Sequence, residues 1–257
     1  MDGNRRYAKQ SDLELGEGHR KGYDKFVDIL QWCQDLGVHE LTVYAFSIEN
    51  FKRSPDEVDF LMTLLAEKLN ELLKETENLK KKQICIRIIG NITLLPEEIR
   101  QLSSKIMDLT KDHKKLICNI AMPYTSRDEL TTAAKSIVHG VKSNQIHLDD
   151  INEELVSKCL YTNRGTNPDI LIRTSGEVRF SDFLLWQCGY SVEYFVDALW
   201  PNFTIWHFLA LLFRYQRDCV NIPNFQNREV ENNVRIERFL NNLNERRAKE
   251  IILRVRN

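Results

Sequence analysis

Short, continuous apolar runs alternate with longer stretches of helical periodicity, and this alternation constrains the chain more than any other feature of its sequence. The runs lie at 40–46 (ELTVYAF), 84–89 (ICIRII), 116–121 (LICNIA), 169–173 (DILIR) and 192–196 (VEYFV). They are rich in Ile, Val and Tyr, as strands buried on both faces tend to be. The stretch 22–36 places Phe26, Ile29, Leu30 and Cys33 on one helical face, and Gly37 supplies the stop. The stretch 55–80 opens with Ser54 as N-cap, Pro55 in the first turn and Asp56 and Glu57 where the helix dipole favours them. Its apolar stripe is Val58, Leu61, Leu65, Leu69, Leu72 and Leu73; 96–109 and 127–141 repeat the format. The pattern predicts an α/β fold, a mostly parallel central sheet flanked by helices. Ligands in such sheets sit at the carboxyl ends of the strands.

The chain has 257 residues with 36 basic against 37 acidic side chains, a net charge of −1 that argues against a general nucleic-acid binder. The longest compact apolar stretch, 208–213, is far below the roughly 18–20 residues of a membrane span. The first residues lack the apolar core of a secretory signal and the Met-Gly of a myristoylation site. The six cysteines form no Cys-x-x-Cys pair and the histidines have no metal-ligand spacing, which predicts reduced, buried thiols. The sequons at Asn91 and Asn202 are read as chance.

Chemistry is expected at the strand ends. The loop after Phe46 carries Lys52 and Arg53. The loop after the 169–173 run carries Arg179 and Ser181, and Arg173 and Arg179 bracket a glycine turn. Two guanidiniums and a hydroxyl there suit an anion, or are solvated surface groups. Asp2-Gly3-Asn4-Arg5-Arg6 packs a carboxylate, a glycine, a carboxamide and two guanidiniums into five positions. A helix starting there aims free N–H groups at an anion, and the carboxylate suits Mg²⁺. No P-loop, dinucleotide fingerprint, H-E-x-x-H or G-x-S-x-G occurs. The run Asp149-Asp150-Ile151-Asn152-Glu153 has the look of the aspartate-rich motif of head-to-tail trans-prenyltransferases, but it precedes a helical pattern and reads better as a cap.

Five blocks together resemble the cis-prenyltransferase (undecaprenyl diphosphate synthase-like) family. They are 2–8 (DGNRRYA), 18–19 (GH), 44–53 (YAFSIENFKR), 172–179 (IRTSGEVR), and 183–187 (FLLWQ) with 199–201 (LWP). The resemblance covers residues 1 to about 217, and the first and fourth blocks are similar to the eukaryotic, dehydrodolichyl diphosphate synthase branch. It implies a catalytic domain over 1–226 and a C-terminal helical tail over 227–257. It implies elongation of farnesyl diphosphate by isopentenyl diphosphate units in cis configuration, giving a long polyprenyl diphosphate that feeds dolichol and protein glycosylation. Mg²⁺ would be the cofactor.

By the same resemblance Asp2 is the metal-associated and catalytic aspartate. Gly3, Asn4, Arg5 and Arg6 cradle the allylic diphosphate, with His19 beside it. Asn50 and Ser47 stand near the reacting carbons, and Asn4 and Asn50 join Asp2 as catalytic residues. Arg53, Arg173, Arg179 and Ser181, with Arg6, clamp isopentenyl diphosphate, and Glu57 supports them. Val58, Leu61, Leu65, Leu69 and Phe46 would wall a product tunnel.

The sequence also departs from the family. The apolar strand that leads into the Asp-Gly-Asn motif is not among these residues, which predicts unpaired ladder groups beside Asp2 and weak activity or stability. Leu15 stands where many members have arginine. Val192 stands where bacterial members have a metal-binding glutamate, and Glu193 would point to the opposite face. The C-terminal Arg-x-Gly motif of single-chain members is lacking. Dimerisation with a membrane-anchored, Nogo-B-receptor-type subunit that supplies that motif is therefore expected, with peripheral location on the cytoplasmic face of the endoplasmic reticulum. The tail, with Val234, Phe239, Leu243, Ile251 and Leu253 on a helical pattern, is expected to pack on the partner subunit. The alternative is an inactive or weakly active form that serves as an interaction subunit. Retention of Asp2, Asn50, Arg53, Arg173, Arg179 and Ser181 favours the enzyme.

Overall fold

A computed structural model describes residues 1–163, 165–221 and 233–253. In chain order the elements are α1 (Asn4–Gln10), α2 (Leu15–Asp35), β1 (Glu40–Tyr44), α3 (Pro55–Lys74), α4 (Thr76–Lys82), β2 (Ile84–Ile89), α5 (Glu97–Thr110), β3 (Leu116–Ala121), α6 (Ser126–Lys142), α7 (Glu153–Lys158), β4 (Ile170–Arg173), β5 (Val192–Phe195), α8 (Ile205–Asp218) and α9 (Val234–Leu253). Single 3-10 turns connect several of them, among them Ile48–Lys52 and Gln187–Tyr190.

The strands are parallel, as expected, but form two sheets. One has the order β1-β3-β2, with Glu40 opposite Ile117 and Ile84 opposite Leu116. The other pairs β4 with β5, Ile170 opposite Val192. Burial on both faces holds for β2 and β3, whereas β1, β4 and β5 are mostly half-buried.

Residues 1–3 tie the β4 end of the molecule to the main core. The carbonyl of Asp2 accepts hydrogen bonds from the Trp200 N–H (3.1 Å) and the Ser175 hydroxyl (2.5 Å), and Met1 packs against the main core. That core lies between the β1-β3-β2 sheet and helices α2, α3 and α5, around Phe26, Leu69, Ile86, Ile106 and Leu116.

Helix α2 starts seven residues before the expected position. Gly16, Gly18 and Gly22 weaken its periodic signal, yet neighbours press against these positions. A Cβ at Gly18 would meet the Asn4 carbonyl and one at Gly22 the Asn4 side chain, so small residues let α1 lie against α2. Gly37 (φ +74°) then completes a Schellman cap, with Val38 N–H bonding the Cys33 carbonyl at 2.8 Å. The expected helix 55–80 is two helices broken at Glu75, and Ser54 sits at its N-cap without a side-chain capping bond. Thr125 caps α6, and Asn152 caps α7 through the Leu155 N–H (2.9 Å). Asp150 accepts from His147 N–H and pairs with Arg235 at 2.8 Å. Five cysteines are buried and Cys219 is half-buried, all as free thiols.

One face of the tail helix α9 packs on its own chain: Phe239 and Leu243 are buried against Ala133, Ile137, Ile146 and Leu155 of α6, α7 and the loop between them, while Val234 stays exposed. Arg247 adds hydrogen bonds to the carbonyls of Cys159 and Leu160. The 226/227 boundary and the side chains of Ile251 and Leu253 lie outside the described residues.

Candidate active site

The carboxyl ends of the strands and the start of α1 enclose a polar cleft of about 730 Å³. Its walls include Asp2, Gly3, Asn4, Arg5, Arg6, Lys9, Asp12, His19, Arg53, Glu177 and Arg179. Five of these are basic and three acidic, the balance that an anion requires. Leu15 also lines it and is half exposed, with no polar group to offer.

The turn at residues 2–4 is held by backbone geometry. Gly3 adopts φ +101°, and a Cβ there would run into the Ser175 hydroxyl and the Leu199 side chain, so only glycine fits. The turn starts α1 without a side-chain cap, leaving first-turn N–H groups toward the cleft. The Asp2 carboxylate pairs with Arg173 at 3.1 Å and Arg6 at 3.9 Å. Burial works to raise its pKa, but the Arg173 hydrogen bond and charge and the Gly3 N–H together hold it below the ordinary 3.8.

The second wall comes from the loop after β1. Ser47 and Asn50 form a reciprocal cap: the Ser47 hydroxyl accepts from Glu49 N–H (3.2 Å) and the Asn50 carboxamide oxygen from Ser47 N–H (2.9 Å). This fixes the turn that delivers Arg53, whose guanidinium meets Glu57 at 2.8 Å; Arg5 reaches the same carboxylate at 3.7 Å. Glu57 therefore holds one arginine from each wall.

The third wall is the loop after β4. Arg173 donates to the Ser181 hydroxyl at 2.7 Å and to the Arg179 carbonyl, and Arg179 pairs with Glu177. Glu177 also meets Arg6 at 3.4 Å.

His19 and Asn4 stand where the polar cleft meets an apolar cavity of about 140 Å³. That cavity runs between α2, α3 and the sheet, past Phe26, Val43, Phe46, Leu61, Leu65, Leu69, Leu72 and Trp200. The expected stripe of α3 is thus present, except that Val58 packs at the edge of the core and does not line the cavity. Two buried polar atoms at the junction, Asn4 Oδ1 and His19 Nε2, have no hydrogen-bond partner. Buried polar atoms normally are paired, so these two are available to a ligand. Burial first, then the Arg53 and Arg5 guanidiniums, hold the His19 pKa below its ordinary 6.5 against the pull of Glu57. Its ring is neutral at pH 7.

The structure therefore gathers Asp2, Gly3, Asn4, Arg5, Arg6, His19, Arg53 and Arg179 around one cleft, with Arg173 and Glu57 bonded directly to members of it and Ser181 joined through Arg173. Ser47 and Asn50 do not line it. They lie in the turn leading to Arg53. Val192 and Glu193 lie in β5 and outside it. Sequence reasoning passed over Glu177 and Trp200, although both stood inside its diagnostic blocks. Trp200 donates to the Gly22 carbonyl at 2.7 Å and closes the apolar cavity. Lys9 and Asp12 carried no signal beyond their nearness to the N-terminal motif.

Comparison with known proteins places the chain in a family. The family model described as putative undecaprenyl diphosphate synthase, a prenyltransferase family, matches residues 1–221. The chain belongs to this family. Among cis-prenyltransferase relatives, the dehydrodolichyl diphosphate synthase complex subunit DHDDS of Homo sapiens is 48% identical over 216 residues, 84% of this chain and 65% of that protein. The Mus musculus subunit Dhdds is 46% identical over 218 residues, 85% of this chain and 66% of that protein. The chain thus spans just under two thirds of the length of these two relatives. Lavandulyl diphosphate synthase from Lavandula x intermedia, solved with dimethylallyl diphosphate, superposes with a TM-score of 0.80 at 34% identity, covering 84% of this chain and 92% of that one. The parallel sheets and flanking helices are the cis-prenyltransferase fold.

Proposed function

We propose that the chain is the catalytic subunit of a cis-prenyl chain-elongating transferase. It extends farnesyl diphosphate with isopentenyl diphosphate to a long, dehydrodolichyl-type polyprenyl diphosphate, the precursor of dolichol. One observation carries this reading: an arginine-lined cleft opens, at the unpartnered Asn4 and His19, directly into an apolar cavity. A substrate with an anionic head and a growing hydrocarbon tail needs those two environments in contact. The names of the human and mouse relatives, each a complex subunit, support it.

In this reading Gly3, Asn4, Arg5 and Arg6 hold the allylic diphosphate, with its tail in the apolar cavity and His19 at the junction. Arg53, Arg173, Arg179 and Ser181, with Arg6, hold isopentenyl diphosphate. Glu57 keeps Arg53 and Arg5 aimed, and Ser47 and Asn50 cap the turn that delivers Arg53. The allylic C–O bond breaks, diphosphate leaves, the isopentenyl double bond attacks the allylic carbon, and a proton is lost. The arginines stabilise charge that develops on the departing diphosphate. The Asp2 carboxylate fits Mg²⁺, which takes one or two carboxylates together with water and phosphate oxygens. When bound, the ion would neutralise the leaving group.

The subunit partner is part of the proposal. On α8 Trp206 (75%) and Phe213 (66%) are widely exposed, and Val220 (79%) follows just after. An apolar face of this kind suits a protein interface, here with a Nogo-B-receptor-type subunit that contributes the Arg-x-Gly motif. No helix among the described residues is long and apolar enough to cross a membrane, so peripheral location at the cytoplasmic face of the endoplasmic reticulum would come through that partner. The test is labelled isopentenyl diphosphate supplied with farnesyl diphosphate and Mg²⁺, with and without the partner subunit. Long cis-polyprenyl products that depend on the partner are expected. Release of short products alone, or equal turnover by the chain by itself, contradicts the reading.

A further inference from the structure

The loop that carries Ser181 is bent against its backbone preference. Ser181 (φ +50°), Asp182 (φ +60°) and Leu184 (φ +45°) all occupy the left-handed region, which L-residues avoid. Such a conformation persists only where its surroundings over-determine it. Here the surroundings are the N-terminus of α6. The Asp182 carbonyl accepts from Ser126 N–H at 2.7 Å. Its carboxylate accepts from Arg127 N–H at 3.2 Å and Arg127 Nε at 2.9 Å. Leu185 N–H donates to the Ser126 hydroxyl at 3.0 Å. Leu184 is buried, and Phe183 stacks on Tyr44 with ring centroids 4.6 Å apart. α6 has 17 residues and a positive dipole end there, which favours the carboxylate. The Asp182 side chain is only 11% exposed, while its Arg127 partner is 78% exposed.

We propose that Asp182 is a positioning residue for the isopentenyl diphosphate site: by clamping the left-handed loop to α6 it sets where Ser181 and Arg173 stand. The link is one residue long. Ser181 accepts from Arg173 at 2.7 Å, and the same guanidinium nitrogen donates to the Arg179 carbonyl. Without the clamp, residues 181–184 relax toward ordinary backbone angles, and the Ser181 hydroxyl leaves the Arg173 fork. The allylic side of the cleft, built on Gly3, Asn4 and Arg5, has no bond to Asp182. This inference rests on the assignment of Arg173, Arg179 and Ser181 to isopentenyl diphosphate.

The experiment is calorimetric binding of isopentenyl diphosphate and of farnesyl diphosphate to the full chain in its complex, for the wild type, Asp182→Ala, Asp182→Asn and Ser181→Ala, with Tm measured on each. Asp182→Ala is expected to weaken isopentenyl diphosphate by about tenfold and farnesyl diphosphate by less than about twofold, the loss of one charge-assisted anchor expressed at one site. Asp182→Asn keeps a carbonyl oxygen for Arg127 N–H and should fall between. The proposal is overturned if Ser181→Ala weakens isopentenyl diphosphate and Asp182→Ala does not. It is overturned equally if both ligands weaken alike as Tm drops, which marks a purely structural role. If neither variant affects isopentenyl diphosphate, the site assignment fails and the positioning role fails with it.

Discussion

Two residues carry tests of their own. Gly3 combines φ +101° with a side-chain direction blocked by Ser175 and Leu199. Gly3→Ala is expected to cost on the order of 1–2 kcal/mol from the left-handed backbone alone, and more from displacing the Ser175 hydroxyl off the Asp2 carbonyl. A lower Tm by calorimetry checks it. His19 gives a pH signature. Its folded pKa is lowered from 6.5, so the unfolded chain takes up a proton first as the medium acidifies. Its contribution to stability is complete above pH 6.5 and is lost as pH falls through the folded value. The acid slope of Tm should therefore be shallower in His19→Gln, and identical slopes would exclude the effect. At this scale the sequence was informative where residue type forces chemistry, as in the carboxylate, glycine and arginines of 2–6. The pairing of Asp2 with Arg173, 171 positions away, was beyond it. Spacing along a chain does not say which loops converge, and only the resemblance to a family brought these two to one site.

Among the elements, β2 and β3 match the sequence reading residue for residue, because both are short, predominantly apolar runs, interrupted only by Arg87 and Asn119. The front of α2 was hidden by glycines that serve helix-to-helix contact and so carry no apolar period. The break at Glu75 has no Gly or Pro to mark it. The apolar face of α9 was legible, but periodicity reveals a face and not what covers it. The cover is α6 and α7, with Phe239 1% exposed and pressed against Gly140. Phe239→Ala is expected to destabilise the protein by about 3–5 kcal/mol through the cavity it leaves, read as a lower midpoint in urea unfolding. A helix that docked on a partner instead would leave the isolated chain unaffected.

For the whole molecule, a net charge near zero conceals an uneven distribution: basic groups concentrate at one cleft, and apolar surface gathers beneath it and along α8. The exposed face of α8 makes a prediction at this scale. Trp206→Asp with Phe213→Asp should leave the fold intact, since both side chains are largely in solvent, and should abolish association with the partner subunit in sedimentation. Unchanged association would place the interface elsewhere. The central claim is that the cleft activates a diphosphate leaving group beside an apolar channel, with Asp2 at its centre. It is tested most directly by the rate of labelled isopentenyl diphosphate incorporation in the partnered complex with Mg²⁺, comparing wild type with Asp2→Ala. The account predicts a loss of at least about 100-fold, the scale of removing one group that stabilises developing charge, with an unchanged far-UV spectrum. Equal rates would contradict it.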